Sequence, residues 1–197
     1  DVNNVFKGMG GKDSFDGAGG FDVLWFGYSG ESAGTVVDLS RATGQIRNDG
    51  FGNVETAVNI EGVVGGQFND VFKGNAFDNY FEGGAGADTM TGGGGIDEYG
   101  FYDLNEFGDT ITDFQTGVDR IHFGPGDIAG LATTPISFRV GNSVAADAGT
   151  TGAFYFKTTN QTLYYDQDGT GSAFSGVAVL TVQVGGSIAA GDLVLDI

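Results

Sequence analysis

Apolar side chains recur along this chain at intervals of nine: Phe6, Phe15 and Leu24 in one block, then Phe72, Phe81, Met90 and Tyr99 in another. Three residues of each unit can form a short strand whose middle side chain points inward while its neighbours point outward. The other six must turn. Glycine supplies such turns because it reaches positive φ without steric cost and lets backbone carbonyls converge on one point. The units are GMGGKDSFD and GAGGFDVLW at Gly8–Asp16 and Gly17–Trp25, then GGQFNDVFK, GNAFDNYFE, GGAGADTMT and GGGGIDEYG from Gly65 to Gly100. The last two fit glycine-glycine-x-glycine-x-aspartate-x-apolar-x at every defined position.

The aspartates beside those turns point to a metal. A hard cation such as Ca²⁺ takes about six to eight oxygen ligands, which carboxylates and turn carbonyls from two stacked loops can provide and one loop cannot. Ion binding and folding then become one event. The expected ligands are the side chains of Asp13, Asp22, Asp70, Asn79, Asp88 and Asp97, with turn positions Gly65, Gln67, Gly74, Ala76, Gly83, Gly84, Ala85, Gly86, Gly93 and Gly95. An aspartate and its counterpart two units on, such as Asp70 and Asp88, are expected to flank one ion. Several calcium ions are expected in all. Departures from the pattern mark weaker sites: Met9 and Ala18 replace second-position glycines, Phe68 and Phe77 replace fourth-position glycines, and Asn79 offers an amide oxygen without charge.

These nonapeptides resemble the RTX repeats of bacterial proteins exported by type I secretion. The resemblance implies an all-β fold, a right-handed parallel β-roll (a β-solenoid) in which two units make one coil and calcium lines both loop edges. FGDTITDFQTGVDRIHF at Phe107–Phe123 is similar to the segment that follows the repeats in serralysin-like proteases. LYYDQDGTGSAFSGVAVLTVQV and the final Asp192–Ile197 are similar to the family's C-terminal region, which carries the export signal. The resulting expectation is a roll over residues 1–106, with repeat blocks at 4–25 and 65–100 and irregular coils at 26–64. Residues 107–197 are then a β-rich cap and type I secretion region, where Asp109, Asp113 and Asp119 are candidates for one more calcium. Asn4 reads as the end of another unit, so the chain is expected to begin inside a roll of a longer protein.

Composition agrees. There are 38 glycines in 197 residues without the three-residue period of collagen, and 17 phenylalanines supply apolar surface for a core. Acidic residues outnumber basic ones by 26 to 8, a formal charge of −18 whose self-repulsion bound calcium would relieve. Such a chain lacks the concentrated lysine and arginine that a nucleic acid partner requires. Without cysteine, it can form neither disulfides nor thiolate metal sites. Extracellular calcium modules bind at about 10⁻⁴ to 10⁻³ M, empty in cytoplasm and filled outside. The chain is therefore expected to stay unfolded in the cell, to pass the type I secretion apparatus through its C-terminal region, and to fold outside. No stretch of about 18 apolar residues is present, so no membrane span is expected.

Between the blocks, Thr35–Leu39 and Val58–Val64 read as strands, with a protruding loop near Asn48–Asn53. Phe154–Asp166 reads as a hairpin turning at TTNQ, and Val177–Val184 as a longer strand. Both are expected to cap the open end of the roll. The only short helices expected lie at Asp127–Leu131 or Ser187–Leu193, and DQDG at Asp166–Gly169 reads as a plain turn. His122 is the only histidine, so an HExxH zinc site is impossible, and GYSGE lacks the last glycine of a nucleophile elbow. No enzyme is expected. The rival reading is a carbohydrate-binding module for an acidic polysaccharide such as alginate, resembling the repeat modules of mannuronan epimerases. It would use Trp25, Tyr28 and Tyr80 with the cations Lys7 and Lys73. Ice binding through threonine rows has only Thr89 and Thr91 in its favour.

Overall fold

The computed structural model describes residues 2–27, 30–124, 137–141, 153–166, 176–182 and 186–195. The fold is all-β. In chain order the strands are β1 (Val5–Phe6), β2 (Ser14–Asp16), β3 (Val23–Trp25), β4 (Val36–Asp38), β5 (Ile46–Asn48), β6 (Thr56–Val58), β7 (Gly62–Val64), β8 (Val71–Lys73) and β9 (Tyr80–Glu82). They continue as β10 (Thr89–Thr91), β11 (Glu98–Phe101), β12 (Asp109–Ile111), β13 (Arg120–Phe123), β14 (Ser137–Gly141), β15 (Ala153–Lys157), β16 (Thr162–Asp166), β17 (Val177–Val182) and β18 (Leu193–Leu195).

Seven strands form a wholly parallel sheet in the order β1-β3-β7-β9-β11-β13-β18. A second sheet runs β14-β15-β16-β17-β12-β10-β8-β4-β5, and β2 pairs with β6 alone. From β8 to β13 the chain alternates between the two large sheets at every step. In register, Val71 faces Thr89 and Tyr80 faces Glu98, so a strand pairs with the next but one, two nonapeptides on. One circuit of the chain therefore uses two units, as the resemblance to RTX repeats implies.

Apolar residues of the short strands enter the space between the two large sheets. Leu24, Val63, Phe81, Tyr99 and Ile121 do so from one sheet, and Val37, Phe72, Met90 and Ile111 from the other, all buried. Rings fill that space: Phe72 stacks across the two sheets with Phe81 at 6.1 Å, and Tyr99 meets Phe81, its neighbour in the same sheet, at 6.0 Å and Phe114 at 6.2 Å. Each such burial contributes about 1.5–3 kcal/mol, but one inward residue per strand makes a narrow core.

The coils at 26–64 are irregular. The run Val58–Val64 is two strands, not one, because Asn59 takes a φ of 54° and turns the chain between β6 and β7. The segment expected to protrude at Asn48–Asn53 is tied down instead. Asp49 is buried, and its Oδ1 accepts hydrogen bonds from the N–H groups of Phe51 and Asn53.

Past residue 106 both sheets continue without a break. β12 and β13 extend them, β17 pairs parallel to β12, and β18 pairs parallel to β13. The hairpin of β15 and β16 forms where TTNQ was expected to turn, and Phe154 packs on Phe123 at 4.4 Å. The helix expected at Ser187–Leu193 is only a 3-10 turn at Ala190–Asp192, a second one lying at Leu104–Glu106. Asp127–Leu131 and residues 167–169 of DQDG lie outside the described residues. Among the described residues, no helix is long and apolar enough to cross a membrane.

Candidate metal centres

Alternation between two sheets puts the turns in two stacks, one along each edge. On the first edge Asp70 and Asp88 stand directly before β8 and β10, and Asp109 opens β12. Asp88 Oδ1 accepts from the Asp70 N–H at 2.7 Å, and Asp109 Oδ1 accepts from the Asp88 N–H at 2.9 Å. Asp70 in turn accepts from the N–H groups of Thr35 at 2.5 Å and Gly66 at 2.9 Å. On the second edge Asp97 Oδ1 accepts from the Asn79 N–H at 3.0 Å, and Asp119 Oδ1 from the Asp97 N–H at 3.1 Å. The N–H of Asn4 donates to Asp22 Oδ1 at 2.8 Å, placing Asn4 at the aspartate position of a preceding rung.

One carboxylate oxygen per rung is thus spent on the neighbouring backbone. Asp22, Asp88 and Asp109 each hold the other, Oδ2, buried and without a hydrogen-bond partner. Leaving a buried charged oxygen unpaired is expensive, costing well over the 1–3 kcal/mol of a neutral group. Backbone oxygens gather at the same places. A Cβ on Gly65 would lie 2.2 Å from both Asp70 Oδ2 and the Gly83 carbonyl oxygen, and one on Gly83 would lie 2.3 Å from Asp88 Oδ2. On the second edge, a Cβ on Gly74 would lie 2.1 Å from the Gly92 carbonyl oxygen and 2.4 Å from Asn79 Oδ1. Gly84 and Gly93 hold φ at 82° and 102°, and a Cβ there would lie 2.4 Å from the Gly66 carbonyl oxygen and 2.1 Å from that of Asn75.

Crowding of buried oxygens shows in the electrostatics. Burial, the largest cause in each case, pushes the carboxyls of Asp88 up to about 6, Asp70 and Asp97 to about 7, and Asp109 to about 8. Neighbouring acids add to it, Asp88 acting on Asp70, and Asp119 and Asp113 on Asp97. An all-oxygen, anionic donor set made of carboxylates and carbonyls from two successive turns fits a hard divalent cation. Among the described residues, no three acidic, histidine or cysteine side chains converge as a metal centre. Carbonyl oxygens must therefore complete any coordination here.

The chain carries RTX repeats. The RTX calcium-binding nonapeptide repeat, in four copies, matches residues 3–24 and 64–99. Calcium is the ion that RTX repeats bind, and the matched residues contain Asp13, Asp22, Asp70, Asn79, Asp88 and Asp97. The chain matches no curated protein.

The stacked rungs reach beyond the matched residues, and not as expected. Asp109, Asp113 and Asp119 do not meet. Asp109 continues the first edge, whereas Asp113 accepts from the N–H groups of Gly92 and Gly93 and joins Asp119 on the second. The reason is that β12 crosses between the edges, so residues before and after it are separated by the strand. Two glutamates were missed. Glu55 Oε1 accepts from the Asp13 N–H at 3.0 Å, and Glu61 Oε2 from the Asp22 N–H at 2.9 Å, each filling the aspartate's place in the irregular coil. The acid-x-apolar pattern of Glu55-Thr56-Ala57 and Glu61-Gly62-Val63 carried that signal. Asp192 Oδ1, which accepts from the Gly117 N–H at 2.9 Å, had no such signal, because its partner lies 75 residues away.

The residues expected to hold a sugar are divided. The Lys7 ammonium sits 3.6 Å from the centroid of the Trp25 ring, on the first sheet. Tyr80 is also on that sheet but is half-buried, its hydroxyl bonded to Glu82 and to the Tyr102 hydroxyl at 3.2 Å each. Lys73 ends β8 in the other sheet, and Tyr28 lies outside the described residues.

Proposed function

We propose that the chain is a right-handed calcium β-roll that folds outside the cell and serves as the stabilising and type I export portion of a larger secreted protein. The observation that carries this reading is the buried, unpartnered second oxygen of Asp22, Asp88 and Asp109, repeated on stacked turns of a chain with 26 acidic residues. On this reading Asp13, Asp22, Asp70, Asn79, Asp88, Asp97, Asp109 and Asp119, with carbonyls of the glycine turns, hold the ions. Bound calcium supplies the positive charge that lets these carboxylates stay ionised while buried. At cytoplasmic calcium levels the acidic rungs repel one another, and the chain remains open for export. Residues 1–106 form the roll proper, and 107–197 close its end and carry the export signal. With one histidine and no nucleophile elbow, the chain's role is structural and not catalytic.

The test is circular dichroism during calcium removal. Excess EGTA should abolish the β-strand signal and millimolar calcium should restore it. A spectrum indifferent to chelation would end this reading. For export, removing Asp192–Ile197 should keep the chain out of the medium in cells that carry a type I exporter.

A further inference from the structure

The irregular coil leaves a notch in the second edge. The turns before β3 and β9, residues 17–22 and 74–79, have six residues each, but the turn between β6 and β7 has only three, 59–61. A short turn between two long ones cannot fill the stack. The gap is a cavity of about 690 Å³, within the usual range for small-ligand sites. It is lined by Phe21, Glu61, Phe77, Tyr80, Ile96 and Glu98 among others. Phe21, Ile96 and Phe77 are 39%, 48% and 74% exposed, an unusual clustering of apolar side chains on so acidic a molecule.

The charge of the lining is one-sided. Glu61, Asp78 and Glu98 all line the cavity and no lysine or arginine does, Arg41 lining only the smaller cavity that shares Glu61 and Phe77 with it. Glu61 gives one oxygen to the Asp22 N–H and Asp78 one to the Ile96 N–H at 2.7 Å, which leaves the second oxygen of each for a ligand. The Glu98 side chain is 46% exposed, with its Oε2 3.6 Å from His122 Nε2. Aromatic walls suit the apolar face of a sugar ring, and carboxylates beside aromatic rings favour an ammonium over a neutral or anionic group.

We propose that this notch binds an amino-sugar oligosaccharide, with its rings against Phe21, Phe77 and Tyr80 and its ammonium groups toward Glu61, Asp78 and Glu98. This selectivity is opposite in charge to that of a site for alginate. The proposal rests on the calcium-dependent fold, since the walls of the notch are turns of the roll.

Calorimetry on the calcium-loaded chain tests it, with the glucosamine trisaccharide, the N-acetylglucosamine trisaccharide and trilysine as probes in mildly acidic buffer. The glucosamine trisaccharide should bind, and acetylation, which removes the charge and keeps the rings, should weaken it about tenfold. Phe77→Ala and Glu98→Gln should each weaken it about fivefold, since each removes one contact of about 1 kcal/mol. Circular dichroism of the same samples shows whether the fold formed, so a failure of the calcium reading is distinguishable from a failure of the notch. Equal affinity for the acetylated sugar, no binding by folded protein, unchanged affinity in both variants, or trilysine binding as tightly as the sugar would each overturn the proposal.

Discussion

Asp88 does two separable jobs, and two substitutions divide them. Its Oδ1 accepts the Asp70 N–H at 2.7 Å, which ties one rung to the next, while its buried Oδ2 has no protein partner and lies where a Cβ on Gly83 would be at 2.3 Å. Asp88→Asn keeps an oxygen for Asp70 and removes the charge. If that charge serves a bound cation, its loss should weaken ion binding by about 1–2 kcal/mol, which at 1.4 kcal/mol per tenfold raises the calcium midpoint of folding about 5- to 30-fold. Asp88→Ala also strands the Asp70 N–H in a buried position, for an additional 1–3 kcal/mol, roughly. The assay is a calcium titration followed by the β-strand circular dichroism signal, then urea unfolding at saturating calcium. The Asn variant should shift the midpoint and, at a calcium level well above both midpoints, lose the same roughly 1–2 kcal/mol of urea stability, because stabilisation by a ligand grows as RT ln(1 + [L]/Kd). The Ala variant should shift the midpoint further and lose about 1–3 kcal/mol more. Were the Asn variant to fold at the calcium level of the unaltered chain, the assignment of Oδ2 to an ion would be wrong.

Other consequences can be checked with the same equipment. In the calcium-free chain, Asp70, Asp88, Asp97 and Asp109 have carboxyls raised by burial from 3.8 to about 7, 6, 7 and 8. Raised values favour the fold while the groups are protonated, so their contribution is whole below about pH 4 and lost as pH rises through about 6 to 8. Circular dichroism in EGTA should therefore show more structure at acid pH than at pH 8, and the reverse order would contradict the burial argument. Gly65→Ala sets a Cβ 2.2 Å from Asp70 Oδ2 and the Gly83 carbonyl and should block calcium-induced folding. Gly52→Ala, with φ of 93° but open space around it, should cost only about 1 kcal/mol in urea unfolding. Asp192→Ala removes the acceptor of the Gly117 N–H, so hydrogen exchange should quicken at Leu193–Leu195 while Val71–Lys73 stays protected.

The amino-acid sequence alone determined the rung. Glycine, aspartate and an apolar residue at fixed phase dictate a turn, an anchor and an inward side chain, and these are local properties that nine residues suffice to express. Hence Phe72, Phe81, Met90 and Tyr99 were legible as core, and Asp70 and Asp88 as neighbours across two units. Only the tertiary structure decided which edge each acid joins. Asp109 and Asp113 are close in sequence but separated by β12, while Asp192 reaches Gly117 across 75 residues. It also decided that a three-residue turn opens a notch, whereas the local acid-x-apolar pattern was enough to mark Glu55 and Glu61 as stand-ins for aspartate. Strand pairing is a long-range property. A broken repeat carries no phase from which its stacking partner can be counted, so its place is set by which neighbours leave a hydrogen-bonding edge and a space to fill.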